Sequence, residues 1–364
     1  MRLSATGLMA VGTSAVALAL VLALIGWQLV RRRRQRRHAI REAPGRRLLV
    51  ALASGERGAE QELLRLPERS WRAAEPTATR FIEKLRGESR DSLIRVFEGR
   101  GVAKRAMRQV RSRSAVRRAS AAEVLGAMRR REALAPLCVL LDDPAPEVRV
   151  VAARALGRIG EMAAVGPLVA SLDRAGPPQQ VIAHALLGLG QEAERPMLDT
   201  LATTGPHARA TVVEVLGLSR ALRSVPALVE LLWQDPVLEV RVRVVRALGR
   251  IGSRAALSPL LAATERGEAT PLRTVAARAL GDLGDPFAAP RLVELLSERV
   301  HQIAHNAAES LLELGEAGRA GLREAVGLGV EPAMGHAREA LARDELRAER
   351  LRAAGVAAGA GGEL

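Results

Sequence analysis

Residues 142–160 read Asp142-Asp143-Pro144-Ala145-Pro146-Glu147-Val148-Arg149-Val150-Val151-Ala152-Ala153-Arg154-Ala155-Leu156-Gly157-Arg158-Ile159-Gly160. The Asp-Pro turn ends one helix, and Glu147 opens the next, where an acidic side chain suits the helix dipole. Val148, Ala152, Ala155 and Ile159 stand at i, i+4, i+7 and i+11, with Leu156 beside them, and make one apolar stripe. Gly160 stops the helix. The following run, residues 163–172, starts a further helix with Pro167 tolerated in its first turn. The same wording returns from Val237 to Gly252 (VLEVRVRVVRALGRIG) and from Leu272 to Gly284 (LRTVAARALGDLG).

A marker leucine, usually followed by Gly, recurs at Leu125, Leu156, Leu187, Leu216, Leu248, Leu280, Leu311 and Leu341, at intervals of 29 to 32 residues. A period in that range is the signature of stacked helical hairpins. The expected fold is therefore all-α: an α-α superhelix of about eight two-helix repeats over residues 114–350. At about 8–10 Å per packed helix it would form a curved rod on the order of 80 Å long. The Asp-Pro…Val-Arg…Ala-Ala…Ala-Leu-Gly pattern resembles HEAT repeats, the short bacterial variety also found in phycobilin lyases. The resemblance implies that the second helix of each hairpin lines the concave surface. It also implies that Arg118, Arg149, Arg209, Arg241 and Arg273, with Asp143 and Asp235, form a structural ladder between adjacent units.

The net charge is +15, but it is regional: residues 1–131 carry a balance of +19 and residues 132–364 one of −4. The chain has three Phe, three Trp and no Tyr, which disfavours an all-β fold. Its single cysteine, Cys138, sits among Leu and Val and reads as core filling.

No charged residue occurs from Leu3 to Val30. Residues 7–30 are long enough to cross a bilayer, and Trp27 stands near the far end, where interfacial indoles concentrate. Arg31, Arg32, Arg33, Arg34, Arg36 and Arg37 follow immediately. Positive charge stays on the cytoplasmic side. The expectation is a single-pass anchor in the inner (plasma) membrane, with residues 1–6 outside and the solenoid in the cytoplasm. Residues 31–47 then form an Arg-rich juxtamembrane segment and 48–75 a linker with one or two helical turns. Residues 76–113 form a divergent helical cap, and 351–364 a disordered tail.

On the inner helices, the residue two before each marker leucine should face out: Glu123, Arg154, Ala185, Glu214, Arg246, Arg278, Glu309 and Glu339. Arg158, Arg250 and Arg243 extend the cationic bands. The candidate partner-binding residues are thus Arg154, Arg158, Arg243, Arg246, Arg250 and Arg278. A banded surface suits an acidic peptide or protein better than a nucleic-acid duplex, which would want continuous positive charge. The favoured reading is a membrane-anchored scaffold or adaptor that binds a protein and is not an enzyme. It has no catalytic residue, no metal and no cofactor.

Two alternatives stand beside it. One is a nucleic-acid-binding solenoid, supported by Arg100–Arg131 with 11 Lys/Arg against Glu123. The other is an enzyme on a HEAT scaffold, a lyase or a metal-dependent one. For metal binding, His301 and His305 lie one helical turn apart with Glu309 on the same face. A related family, the deoxyhypusine hydroxylases, holds two irons with His-Glu dipeptides, but here Asn306 follows His305 and no His-Glu pair occurs.

Overall fold

The computed structural model of the chain describes residues 39–360 continuously and a few positions between 22 and 36 before them. Among the described residues every regular element is helical. Five helices come first: α1 (residues 39–53), α2 (Ala59–Arg65), α3 (Glu68–Lys84), α4 (Gly87–Gly99) and α5 (Val102–Gln109). The segment 48–75, expected as a linker, belongs to this packed bundle. Leu49, Leu63 and Trp71 are 0% exposed, and the Trp71 ring meets Phe97 edge-on at 5.4 Å. Leu49 and Leu52, three residues apart, present one buried helical face. Pro67 is the N-cap of α3, whereas Pro76, read as the start of the cap, lies inside that helix. The expected boundary at residue 76 therefore falls within a helix, and the cap begins well before it.

From residue 115 the helices alternate between two rows. After α6 (Ala115–Ala127) come α7 (Leu134–Val139) and α8 (Pro146–Ile159), α9 (Val165–Ala170) and α10 (Gln179–Gly188), and α11 (Glu194–Thr200) and α12 (Pro206–Leu218). The series continues with α13 (Val225–Gln234) and α14 (Leu238–Ile251), α15 (Leu257–Ala262) and α16 (Thr270–Leu283), α17 (Ala289–Leu295) and α18 (His301–Glu313), and α19 (Glu316–Leu328) and α20 (Ala333–Ala360). The even-numbered helices pack on one another in sequence, and each odd-numbered helix covers its partner. Leu125, Leu156, Leu216, Leu248, Leu280 and Leu311 are all 0% exposed. Burying one such side chain contributes about 1.5–3 kcal/mol, so no hairpin hides its stripe without its neighbours. α20 runs to Ala360, which corrects the expected disorder from residue 351 as far as Ala360. The alanines of this segment are the best helix formers. Residues 361–364 lie outside the described part.

The Gly after each marker leucine explains how closely the even row packs. A Cβ built on Gly126 would lie 2.6 Å from the Ala155 backbone, and one on Gly249 2.8 Å from the Ala279 carbonyl oxygen. Gly157 abuts Ala185 and Gly217 abuts Ala247 in the same way. Helices that touch through Gly and Ala approach closer than helices separated by Leu and Val, so the even row is tightly packed, as the expected inner row requires.

These contacts also reset the register of the third unit. Each such Gly faces the residue just before the next marker leucine, and Gly157 faces Ala185. The marker in α10 is therefore Leu186, which is 0% exposed, while Leu187 is only partly buried. The sequence rule selected the wrong member of an adjacent leucine pair. Leu187 then occupies the position that holds Gly in most units, and α10 touches α12 far less extensively than α12 touches α14 or α14 touches α16.

The Asp-Arg ladder runs from one unit to the next. Arg118 donates both Nε and Nη2 to Asp143 at 2.6 and 2.7 Å, and Arg209 Nε lies 2.8 Å from Asp235 Oδ2. Arg241 reaches Glu268 at 2.7 Å and Arg273 reaches Glu298 at 2.6 Å. The irregular third unit interrupts it. Arg149 donates to the carbonyl of Asp143 at 2.8 Å, and its Nε is buried without a hydrogen-bond acceptor.

Candidate partner-binding face

The six cations expected on the concave face divide into two groups. Arg154, Arg246 and Arg250 are exposed and, among the described residues, meet no carboxylate at ion-pair distance. The other three are already matched. Arg158 pairs with Glu83 at 2.6 Å, and Arg243 with Glu214 at 2.6 Å and Glu239 at 3.0 Å. Arg278 meets Asp282 at 3.5 Å and also Glu313. Pairs this exposed add little stability, but they cancel the charge a partner would feel. The uniform cationic bands expected from the sequence are thus reduced to isolated free guanidinium groups on α8 and α14.

The register of α10 changes the third unit's contribution. Two residues before Leu186 stands His184, which is exposed, whereas Ala185, expected to face out, is buried. His184 belongs to a cleft of about 690 Å³ lined by Arg129, Arg154, Arg158 and Gln180, with Gly157, Ala185 and Gly188 among the residues beneath. Arg129 was absent from the sequence-derived set. It follows α6 with φ 50°, in the left-handed region, where the units of α8 and α14 have Gly160 (φ 82°) and Gly252 (φ 74°). A left-handed non-glycine is uncommon; the missing Gly after α6 was the signal that pointed to it.

Part of the basic run Arg100–Arg131 is engaged within the fold. Arg100 donates to the carbonyls of Leu63 and Leu66 at 2.5 Å, Arg105 pairs with Glu75, and Arg118 with Asp143. Arg130 pairs with Glu98 at 2.5 Å and Arg131 with Glu161 at 2.6 Å. Five of the eleven cations counted for nucleic-acid binding are thus engaged within the fold, while Lys104, Arg108, Arg111, Arg113, Arg117 and Arg129 meet no carboxylate among the described residues.

His301 is 5.9 Å from His305 and 5.1 Å from His336, ring centre to ring centre. Among the described residues no group of His, Cys, Asp and Glu is arranged to hold a metal ion. Burial pushes the His336 pKa down, as does the neighbouring charge of His301. Cys138 is half-buried, and burial pushes its thiol pKa up, away from the reactive thiolate.

Of the membrane-flanking residues, Trp27, Arg31, Arg33 and Arg36 are described and exposed, and the Arg31 guanidinium lies 5.1 Å from the Trp27 ring centre. Arg32, Arg34 and Arg37, like most of residues 7–30, lie outside the described residues. Among the described residues no helix is long and apolar enough to cross a membrane.

A family model described as HEAT repeats matches residues 105–189, 194–281 and 235–313, together more than half of the chain. No curated protein matches the sequence. Among solved structures, the karyopherin Kap121p bound to the SUMO protease Ulp1p matches with a TM-score of 0.50 and 14% identity over 77% of this chain. A second structure of Kap121p also matches at 0.50 and 14% over 75%. The chain spans only 36% of either Kap121p chain. The complex of CpcE and CpcF of phycocyanin lyase from Nostoc sp. PCC7120 is 22% identical over 66% of this chain and 94% of that one, at a TM-score of 0.31.

Proposed function

The chain belongs to the HEAT-repeat family, and from that premise we propose that it is a non-enzymatic scaffold that recruits a protein partner along its concave face. The observation that carries this reading is the exposure of Arg154, Arg246 and Arg250 on the inner row without intrachain counterions, while other cations nearby are matched. A solenoid of the same fold, Kap121p, holds a protein in one of the matched structures, which supports protein binding as the use of such a surface.

The finer part of the proposal concerns place. The uncharged run of residues 7–30 and the arginines from Arg31 to Arg37 support a single-pass anchor in the plasma membrane, with the solenoid on the cytoplasmic side. The scaffold would then act at the inner face of that membrane.

Affinity purification of the full chain from membranes tests both parts. The triple variant Arg154→Glu/Arg246→Glu/Arg250→Glu should lose a specific interactor that Arg195→Glu, an exposed change on α11, retains. Removal of residues 1–38 should move the protein out of the membrane fraction. An interactor set identical for the two charge-reversal variants refutes the concave-face reading, and a truncated chain that stays membrane-bound refutes the anchor.

A further inference from the structure

The cleft between α8 and α10 gathers positive charge with little to balance it. Arg129 and Arg154 line it and, among the described residues, have no carboxylate at ion-pair distance. Arg90 of α4 lies close by, donating to the carbonyl of Ala127 at 3.3 Å. Burial, and next the charge of Arg129, hold the Arg90 pKa below its ordinary value, with Asp91 opposing. Gln180 and His184 on α10 add hydrogen-bonding capacity without negative charge.

Among the described residues, the one acid seated on a lining residue comes from outside the repeats. Glu83, at the end of α3, reaches Arg158 at 2.6 Å, so the N-terminal bundle places a carboxylate against the inner face of the second unit. Both side chains of this pair are 34% exposed, an arrangement that an incoming group can displace. Arginine presents a planar fork of donors suited to carboxylates.

We infer that this cleft is a docking site for an acidic peptide segment of the protein partner, whose carboxylates engage Arg129 and Arg154, and that Glu83 is a built-in competitor for the same cluster. The inference rests on the scaffold reading above and narrows it to one site and one partner chemistry. A nucleic acid fits less well, because the cleft has no Phe, Tyr or Trp and only the small imidazole of His184 on which a base could stack.

The test uses the full chain in detergent and a fluorescein-labelled peptide of alternating Glu and Ser, read by anisotropy. Wild type should bind it, more weakly as salt rises. Arg129→Asn/Arg154→Ser should weaken binding at least about tenfold; asparagine tolerates the left-handed backbone, and an unchanged urea unfolding curve shows that the fold is kept. Arg195→Ser should bind as wild type does. Glu83→Gln should tighten binding about threefold, the scale of one partly exposed ion pair.

The inference is overturned if wild type ignores the peptide, if the double variant binds it equally well, or if Glu83→Gln weakens it. Tighter binding of an oligothymidine than of the peptide at equal salt also overturns it. In any of these cases, a partner still lost on charge reversal of Arg246 and Arg250 alone would leave the scaffold reading standing without this cleft.

Discussion

Replacing Gly249 with alanine should lower stability by about 1–2 kcal/mol, and replacing it with valine by about 3 kcal/mol or more. Intrinsic helix propensity argues the other way, since alanine inside a helix is favoured over glycine by about 0.5–1 kcal/mol. Packing wins because a Cβ on Gly249 would lie 2.8 Å from the Ala279 carbonyl oxygen and 2.9 Å from its Cα. Those are backbone atoms of α16, so relief requires the two inner helices to move apart. Gly327 in α19, with nothing within 4 Å of such a Cβ, is the matched control: its alanine variant should gain up to about 1 kcal/mol. Urea midpoints of the two variants should shift in opposite directions. Shifts of the same sign would mean that the inner row is not held by Gly-Ala contact.

The ladder carries the second large effect. Asp235→Ala should cost about 3 kcal/mol, the lower end of what breaking a buried ion pair costs. The Asp235 side chain is 1% exposed. It accepts from Arg209 Nε and from the Val237 backbone N–H, each at 2.8 Å. The alanine leaves Arg209 without its carboxylate and the Val237 N–H, just ahead of α14, without its acceptor, whereas Asp235→Asn should fall between, losing the charge but keeping an oxygen for Val237. An Asp235→Ala midpoint equal to wild type would remove the ladder from the account of stability.

Acid should reveal the same ladder. Burial alone would raise the pKa values of Asp143 and Glu298, but the hydrogen bonds and charges of Arg118 on the first, and of Arg273 and Arg266 on the second, hold both below their ordinary 3.8 and 4.5. A carboxylate depressed in the fold contributes stability that is fully present above its unfolded value and is lost as pH falls through the folded one. Stability from this source should therefore be level from pH 7 to about 5 and decline below about 4.

The repeats were legible where packing and sequence speak through the same residues. Val148, Ala152, Ala155, Leu156 and Ile159 are all buried as their spacing requires, because one face of a helix is a local property. What the spacing could not convey was which neighbour each residue would meet. Leu186 and Leu187 are indistinguishable by pattern, and only the contact between Gly157 and Ala185 separates them. The cancellation of Arg243 by Glu214 and of Arg278 by Glu313 joins residues about one repeat apart, a distance at which charge lists carry no geometry. The pair between Glu83 and Arg158 spans the N-terminal bundle and the second unit, and no periodicity extends across that boundary. The boundary drawn at Pro76 misled for the opposite reason: proline is a local signal of a break, and packing around Trp71 overrode it.

Photocrosslinking addresses the concave-face reading most directly. A benzophenone amino acid placed at Arg246 or Arg250, on the inner row, should give a discrete adduct with a partner protein in membranes. The same group at Val139 on α7, which is 73% exposed, should give none. An adduct formed from Val139 and absent from both inner positions would contradict recruitment through the concave face.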